Sequence, residues 1–288
     1  FYGPPGTGKS MLAARLPSIL PHLSSDEAVE VASIYSLTGL AREPDKIFSA
    51  PFRAPHHTAS SVALVGGGSH PSPGEISLAH RGVLFLDELP EYGRSVLEVL
   101  REPIESGEIR ISRANATLTF PAQFQLLAAM NPCPCGFSGH PKVACTDTPQ
   151  QISNYRRKLS GPLLDRFDLH VEVAFQSGSV LLGKSAPAES SSAVYERVLQ
   201  ARKRQLDRQS KLNSELKPSE LEEFCSLQPQ TQSMLERAMD RLALSARGAH
   251  RVIRVARTLA DLNGAEQLST EHLGEALAYR GLDRQSGG

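Results

Sequence analysis

The sequence predicts an α/β domain built on a parallel β-sheet, followed by a smaller all-helical domain. The glycine-rich segment Gly3–Ser10 comes directly before a helical pattern, as at a strand-to-helix turn of such a sheet. Val83–Leu86 and Phe124–Met130 are short continuous apolar runs, typical of strands buried on both faces. Beyond residue 192 the pattern is helical only, which indicates a separate helical domain.

The remaining elements follow from local signals. A helix is expected over Lys9–Leu20, and a second begins after an N-cap at Ser24 or Ser25 and runs to about Leu37. Residues 44–74 are rich in Pro, Gly, His and Ser and are predicted to be a long loop or insertion. Further predictions are a helix over Val96–Glu105, a hairpin of Ile109–Ser112 with Thr117–Phe120, a strand over Leu169–Ala174, and helix breaks near Pro218, Pro229, Ser245 and Gly264.

These elements divide the chain into an α/β domain over residues 1–175, a linker over 176–192 and a helical domain over 193–288. The linker is predicted from its Ser, Gly, Ala and Pro content. A phosphate loop normally follows a buried strand, yet only Phe1 and Tyr2 precede this one, and the chain lacks an initial Met. We therefore expect an internal segment of a longer protein, with its first strand truncated.

Composition narrows the class of protein. The formal net charge is zero, so a nucleic-acid surface would have to be a local patch. No apolar run approaches the 18 or so residues of a membrane span, so no membrane association is expected. Four cysteines in 288 residues do not indicate a disulfide framework. Together with a nucleotide-binding loop, this composition favours a cytoplasmic protein.

The segment Gly3–Ser10 matches the phosphate-binding pattern G-x-x-x-x-G-K-[ST] over its whole length. Its glycines let successive backbone N–H groups turn inward toward phosphate oxygens. Lys9 can reach the β- and γ-phosphates, and Ser10 can offer a hydroxyl to Mg²⁺. The cofactors expected are therefore ATP and Mg²⁺, and the residues of the loop are Gly3, Pro4, Pro5, Gly6, Thr7, Gly8, Lys9 and Ser10.

Two carboxylates follow the buried strand Val83–Leu86. Ligands of open α/β sheets bind at the carboxyl ends of the strands, so Asp87 is predicted to hold Mg²⁺ and Glu88 to activate the attacking water. The alternative is an acidic turn that leaves the core.

Three further polar residues fit an ATP site. Asn131 ends a predicted strand and could hold the lytic water or the γ-phosphate, although it could also start the turn before Pro132. Arg166 could reach a neighbouring subunit's γ-phosphate, or it could pair locally with Asp165 or Asp168. Arg247 begins a helical stripe with Arg251 and Arg254, which could face nucleotide, a neighbouring subunit or solvent.

With the motif Leu86-Asp87-Glu88, these residues resemble the AAA+ ATPases in type and order. Longer segments resemble the magnesium-chelatase-like group, and within it the ComM (YifB) competence protein family. They are PHHTAS at Pro55–Ser60, GEISLAHRG at Gly74–Gly82, NPCPCG at Asn131–Gly136, SGPLLDR at Ser160–Arg166 and LSAR at Leu244–Arg247.

This resemblance assigns roles by position. It implies Walker A for Lys9 and Ser10, Walker B for Asp87 and Glu88, sensor 1 for Asn131, the arginine finger for Arg166 and sensor 2 for Arg247. It also implies a homo-oligomer that assembles as a hexameric ring, and a helicase that drives branch migration on DNA in natural transformation. A Lon-protease-like domain would lie upstream of this chain.

The resemblance further implies that the hairpin 108–121 and part of 52–80 face the pore of the ring. Arg110 and Arg113 are then candidate contacts to single-stranded or branched DNA. Basic clusters at 195–211 and Arg156–Lys158 are compatible with phosphate binding, but a solvated helix face would look the same. Nothing in the sequence indicates base reading, so binding is expected to be largely independent of sequence.

Cys133, Cys135 and Cys145 do not have a standard zinc spacing. Relatives in the resembling family often carry a fourth cysteine where this chain has Asp147, and His140 lies nearby. Zinc bound by these cysteines with Asp147 is one interpretation, and reduced cysteines in a loop are the other. Cys225 is expected in the helical core, and His56 and His57 are expected in an insertion rather than at a metal.

Two other functions remain open at this level. A magnesium-chelatase motor would use the same ATPase to drive metal insertion through partner subunits. A nucleotide-gated assembly module would form rings without acting as a motor.

Overall fold

The chain forms two compact units. The computed structural model describes residues 1–67, 72–113, 116–175 and 189–282. The first unit comprises Phe1–Arg166 and Glu172–Ala188, and the second comprises Phe167–Val171 and Glu189–Gly288. The predicted linker 176–192 lies largely outside the described residues, and the first helix after it begins at Ser191.

The boundary predicted at residue 175 does not foresee that Phe167–Val171 belong with the helical unit. Two hydrogen bonds, one between backbone groups and one from a side chain, explain this placement. The N–H of His170 donates to the carbonyl of Tyr279 at 2.6 Å, and the Arg280 guanidinium donates to the Phe167 carbonyl. These bonds lie within the second unit, of which Phe167–Val171 are therefore a part.

A parallel sheet forms the centre of the first unit. Its strands are β1 (Phe52–Arg53), β4 (Val83–Leu86) and β7 (Gln125–Ala128), in the order β1-β4-β7. Every residue of β4 is buried, and its partners run from Val83 opposite Gln125 to Leu86 opposite Ala128. The predicted α/β fold with a parallel sheet and a helical domain is therefore confirmed.

Two predicted elements in this unit are wrong. Residues 44–74 are not one loop, because Phe52 and Arg53 pair with Val83 and Leu84 as a strand of the central sheet. A strand of two residues is too short to show periodicity. The strand predicted over Leu169–Ala174 is reduced to one bridge, because Glu172 pairs only with the single residue Tyr2.

Small elements surround the sheet. The predicted hairpin is confirmed as β5 (Glu108–Arg113) and β6 (Ala116–Pro121), and Gly66–Gly67 pairs with Ser72–Pro73 as β2 and β3. The helices of this unit are Lys9–Arg15, Ser25–Ser36, Ser61–Val65, Glu75–Leu78, Arg94–Glu98, Arg101–Ser106, Pro149–Arg157 and Gly161–Leu164. The predicted N-cap at Ser24 is present, and Glu27 completes a capping box with it.

The second unit is helical, as predicted. Its helices are Ser191–Gln209, Leu221–Phe224, Pro229–Leu242, Ala246–Leu262 and Thr270–Ala278. Apolar residues such as Leu235, Val252 and Leu273 form its core. No helix in the described ranges combines the length and apolar composition that crossing a bilayer would require.

A buried ion network also joins the helices of the second unit. Asp261 accepts hydrogen bonds from Arg208, Arg257 and Asn213. Burial alone would raise the pKa of Asp261, but the bonds from Arg208 and Asn213 hold that pKa below its ordinary value.

Candidate nucleotide-binding and catalytic site

The predicted phosphate loop has the backbone its glycines allow. Gly6 and Gly8 have φ values of 75° and 85°, in the left-handed region that favours glycine. A Cβ on Gly3 would lie 2.2 Å from the carbonyl oxygen of Val173, so close packing also requires glycine there. The Lys9–Arg15 helix begins directly after Gly8. The loop therefore presents backbone N–H groups ahead of a helix start, an arrangement that suits phosphate.

Lys9 lies inside this loop and is only 8% exposed. Its Nζ donates to the carbonyls of Gly3 at 2.7 Å and Pro4 at 2.8 Å, and to Oδ1 of Asn131 at 3.1 Å. Desolvation lowers the pKa of Lys9, and the negative charge of Asp87 opposes that shift. An ammonium held only by neutral oxygens is available to anionic phosphates, which bind it more strongly.

Ser10 and Asp87 meet at the other side of the loop. The Ser10 hydroxyl donates to Oδ2 of Asp87 at 2.6 Å. A hydroxyl and a carboxylate placed together are a donor set that suits Mg²⁺, which prefers oxygen ligands and binds proteins through one or two carboxylates. The Ser10 hydroxyl and the Asp87 carboxylate therefore fit the Mg²⁺ that is expected to bind with ATP.

Glu88 follows directly and has a left-handed backbone, with φ 51° and ψ 46°. Its Oε2 lies 3.1 Å from Nδ1 of His57, and its N–H donates to Oδ1 of Asp87 at 2.9 Å. The side chain is 56% exposed, so these contacts largely set its orientation. Glu88 directly follows Asp87, which bonds to Ser10 of the phosphate loop, and its carboxylate is open to water, as activation of a water molecule requires.

The sequence did not predict the contact between His57 and Glu88. His57 follows β1, and β1 is parallel to β4, which ends just before Glu88. The carboxyl ends of parallel strands share one edge of a sheet. Had the two-residue strand β1 been predicted, His57 and Glu88 would therefore have been expected at the same edge. His56 instead stacks on His57 with ring centroids 4.1 Å apart and bonds to Thr58.

Arg166 lies near the surface of the same unit but is held inward. Its side chain is 9% exposed, with Nη2 2.8 Å from Oε1 of Glu105 and Nη1 donating to the Pro162 carbonyl at 2.6 Å. Glu98, Arg101 and Glu105 line a pocket with it. Of the partners that the sequence suggested, Asp168 bonds to Arg251 instead.

Comparison with known proteins decides the family. The family model described as "Magnesium chelatase, subunit ChlI" matches residues 1–181, and the model of its C-terminal region matches residues 188–280. The chain belongs to the magnesium-chelatase-like family. With its complete phosphate loop and parallel sheet, the first unit has the P-loop AAA+ core expected of this family.

Similar proteins point to one branch of the family. The chain is 51% identical over 286 residues to "Competence protein ComM" of Haemophilus influenzae, covering 99% of this chain and 55% of that protein. It is 50% identical over 282 residues to "Uncharacterized protein YifB" of Escherichia coli, covering 98% and 55%. Identity to the "Magnesium-chelatase 38 kDa subunit" of Cereibacter sphaeroides is 26% over 187 residues, covering 60% and 49%.

The predicted resemblance to ComM and YifB proteins is thereby confirmed. The chain spans about half the length of the curated relatives it matches.

The arginine stripe of the helical unit is only partly as predicted. Arg247 is exposed in the first turn of the Ala246–Leu262 helix, after the N-cap Ser245. Arg251 donates to Oδ1 of Asp168 at 2.7 Å, and Arg254 donates to the Leu216 carbonyl. Two of the three arginines are thus used to hold this unit together, and the role of Arg247 toward nucleotide stays a prediction.

The predicted basic clusters are also largely engaged within the chain. Arg208 bonds to Asp261, Lys203 pairs with Asp207, and Lys211 pairs with Glu220. In the first unit, Lys158 lies 3.3 Å from Glu91. The residues over 195–211 therefore do not form a uniformly open basic face, which favours the solvated-helix interpretation.

On the hairpin, Arg110 is 68% exposed and lies 3.8 Å from a carboxylate oxygen of Glu108. Arg113 ends β5, and its side chain lies outside the described part of the structure.

The cysteines predicted as a cluster do converge. Cys133, Cys135, Cys145 and Asp147 place their ligand atoms within 4.8 Å of one another. His140 is not part of this group, because its Nδ1 accepts bonds from the backbone N–H groups of Lys142 and Val143. Cys225 is buried in the second unit with Leu216 and Leu221, as predicted.

We expect His57→Ala to lower ATP turnover by roughly tenfold without weakening ATP binding, because Glu88 loses the side chain that orients its carboxylate. Turnover at saturating ATP and the Kd for nucleotide measure the two effects. His56→Ala is the matched control, since His56 bonds to Thr58 rather than to Glu88. Turnover by His57→Ala equal to that of the unaltered protein would show that the contact with His57 does not orient Glu88.

Proposed function

We propose that this chain is the ATPase motor of a ring-shaped protein that moves DNA strands, acting as a ComM-type branch-migration helicase. One observation carries the ATPase part of the proposal. Lys9 bonds to Asn131 and Ser10 bonds to Asp87 at the carboxyl edge of the sheet, and the N–H of Glu88 donates to Asp87. The DNA part is supported by the 51% identity to a protein named for competence.

Each residue at this edge has a role in the proposed reaction. The β- and γ-phosphates draw the Lys9 ammonium away from the carbonyls of Gly3 and Pro4. Asn131 orients a water molecule without adding charge. Glu88 accepts a proton from that water as its oxygen bonds to the γ-phosphorus, while the bond from the γ-phosphorus to the bridging oxygen breaks and ADP leaves.

Two groups complete the charge balance. Mg²⁺, held by Ser10 and Asp87, would neutralise charge on the phosphate oxygens. Arg166 of one subunit would stabilise the transferred phosphoryl group bound by its neighbour. For this the guanidinium must leave Glu105, so we propose that ring assembly exchanges an internal ion pair for an intersubunit contact. Arg247 is the proposed nucleotide sensor of the helical unit.

The deciding experiment uses the full-length protein. ATP hydrolysis is measured with and without a four-way DNA junction, with Glu88→Gln as the blank. Strong stimulation and separation of the junction into duplexes are expected. Hydrolysis indifferent to every DNA tested would contradict the proposed DNA motor.

The hairpin supplies a DNA contact to test. We expect Arg110→Glu to lower DNA-stimulated hydrolysis several-fold and leave basal hydrolysis unchanged, because phosphate contacts depend on exposed positive charge. Lys203→Glu is the control: it makes the same charge change at a residue of the helical unit that is 75% exposed, and it should keep the DNA-stimulated hydrolysis. Should both variants keep full stimulation at low salt, Arg110 is not a DNA contact.

A magnesium-chelatase motor is the second candidate, favoured by the family match and by the similarity to a magnesium-chelatase subunit. In that function the same ATPase would drive metal insertion through partner subunits. Porphyrin-dependent capture of chelatase partners would support it. Negligible hydrolysis by an assembled ring would instead support an assembly module.

A further inference from the structure

The loop between β7 and the Pro149–Arg157 helix places three thiols and one carboxylate within 4.8 Å of one another. The Sγ atoms of Cys133, Cys135 and Cys145 form a triangle with sides of 3.4, 3.5 and 3.6 Å. Oδ2 of Asp147 lies 3.8 Å from Sγ of Cys145. The four residues come from two separate parts of the loop, so folding, rather than sequence adjacency alone, assembles them.

These distances match a tetrahedral metal site. Zinc binds thiolate sulfur at about 2.3 Å, so two sulfurs of one tetrahedral zinc lie about 3.8 Å apart. Sulfur atoms in the triangle are within a few tenths of an ångström of that separation. An oxygen ligand at about 2.0–2.2 Å fits the fourth corner.

Backbone groups around the cluster support the same assignment. The N–H of Ser138 donates to Sγ of Cys133 at 3.3 Å, and the N–H of Cys135 donates to Oδ2 of Asp147 at 2.8 Å. Bonds of this kind orient metal ligands and partly neutralise their negative charge. His140 is directed elsewhere, since its ring packs edge-on against Phe137 and Phe175.

We propose that Cys133, Cys135, Cys145 and Asp147 bind one structural zinc ion. Four protein ligands close the coordination sphere, which is the arrangement of structural rather than catalytic zinc. The ion holds together a loop that contains only short turns around its ligands. Zinc binding therefore stabilises the folded loop directly.

The position of this loop gives the zinc a second consequence. The loop begins at Asn131, which bonds to Lys9, and it packs on the phosphate loop at Gly136. A Cβ at Gly136, where φ is 85°, would lie 2.8 Å from Cδ of Pro5, so the contact is tight. Zinc would thus fix the end of the strand that carries Asn131 against the loop that carries Lys9.

Metal analysis of the purified chain tests the site directly. We expect one zinc per chain after dialysis, and a thiolate-to-cobalt charge-transfer band when cobalt(II) replaces zinc. The cluster thiols should resist a thiol reagent until a chelator removes the metal. A chain that lacks zinc after growth in zinc-supplemented medium, or in which two of these cysteines form a disulfide when isolated under reducing conditions, would overturn the proposal.

Variants separate metal binding from folding. Asp147→Ala should weaken zinc binding by more than about tenfold, measured against a chromophoric chelator, whereas Asp147→Cys should retain one zinc. Cys225→Ser, which removes a buried cysteine of the other unit, should leave the zinc content unchanged. Unaltered zinc affinity in Asp147→Ala would exclude the carboxylate as a ligand. Zinc content is measured separately from ATP hydrolysis. A chain that hydrolyses ATP but binds no zinc would therefore overturn the zinc proposal and leave the proposed ATPase function standing.

Discussion

Glu88→Gln is expected to abolish ATP turnover while ATP still binds. Glutamine keeps the shape of the side chain and its contact with His57, but it cannot accept a proton from water. Loss of a general base typically costs about 10²–10⁴ in rate. Lys9, Ser10 and Asp87 are unchanged, so affinity for ATP should stay within about threefold, since no phosphate contact is lost.

The measurement pairs single-turnover hydrolysis with a nucleotide-binding titration. Glu91→Gln is the matched control, because Glu91 lies close in sequence, is exposed and pairs with Lys158. It makes the same chemical change without touching the proposed site. Turnover by Glu88→Gln equal to that of Glu91→Gln would remove Glu88 from the reaction.

Backbone features whose signal is local agree between sequence and structure. The phosphate loop is defined by its own glycines, Lys9 and Ser10, so its conformation follows from eight consecutive residues. The strand Val83–Leu86 is buried at every position, and continuous apolar character indicates that directly. The N-cap predicted at Ser24 or Ser25 is another local pattern, and the structure has it at Ser24.

Features that depend on pairing between distant segments were missed. Phe52 and Arg53 form a strand only because Val83 and Leu84 lie beside them, and nothing in a two-residue segment shows this in advance. The contact of His57 with Glu88 depends on that strand. Likewise, helical spacing predicts that Arg251 and Arg254 lie on one face of a helix. It does not predict their partners, Asp168 and the carbonyl of Leu216, because these come from distant parts of the chain.

The cysteine cluster depends both on a local sequence signal and on contacts between separate segments. The pair Cys133 and Cys135 is visible in the sequence, but its spacing from Cys145 identifies no metal site. The folded loop makes the three sulfurs nearly equidistant, and this geometry carries the zinc proposal.

Arg166→Ala should reduce ATP turnover by about 10³-fold or more, the range measured for arginine fingers, and leave ATP binding intact. The reason is that the proposed ring presents Arg166 to the nucleotide of the neighbouring subunit, where positive charge stabilises the transferred phosphoryl group. Arg101→Ala is the control, since Arg101 lines the same pocket and pairs with Glu98. Loss of activity confined to Arg166→Ala would distinguish the finger from general loss of charge.

Mixing two inactive variants then tests whether Arg166 acts between subunits. A Glu88→Gln subunit still carries Arg166, and an Arg166→Ala subunit still carries Glu88. Where the two meet in the right order, one site holds a working base and a working arginine, so the mixture should recover part of the lost turnover. If both residues acted within one chain, no arrangement of the variants would complete a site, and the mixture would stay inactive. Recovery therefore requires that the ion pair between Arg166 and Glu105 opens on assembly, because the guanidinium cannot remain buried against Glu105 and also reach a neighbour's phosphate.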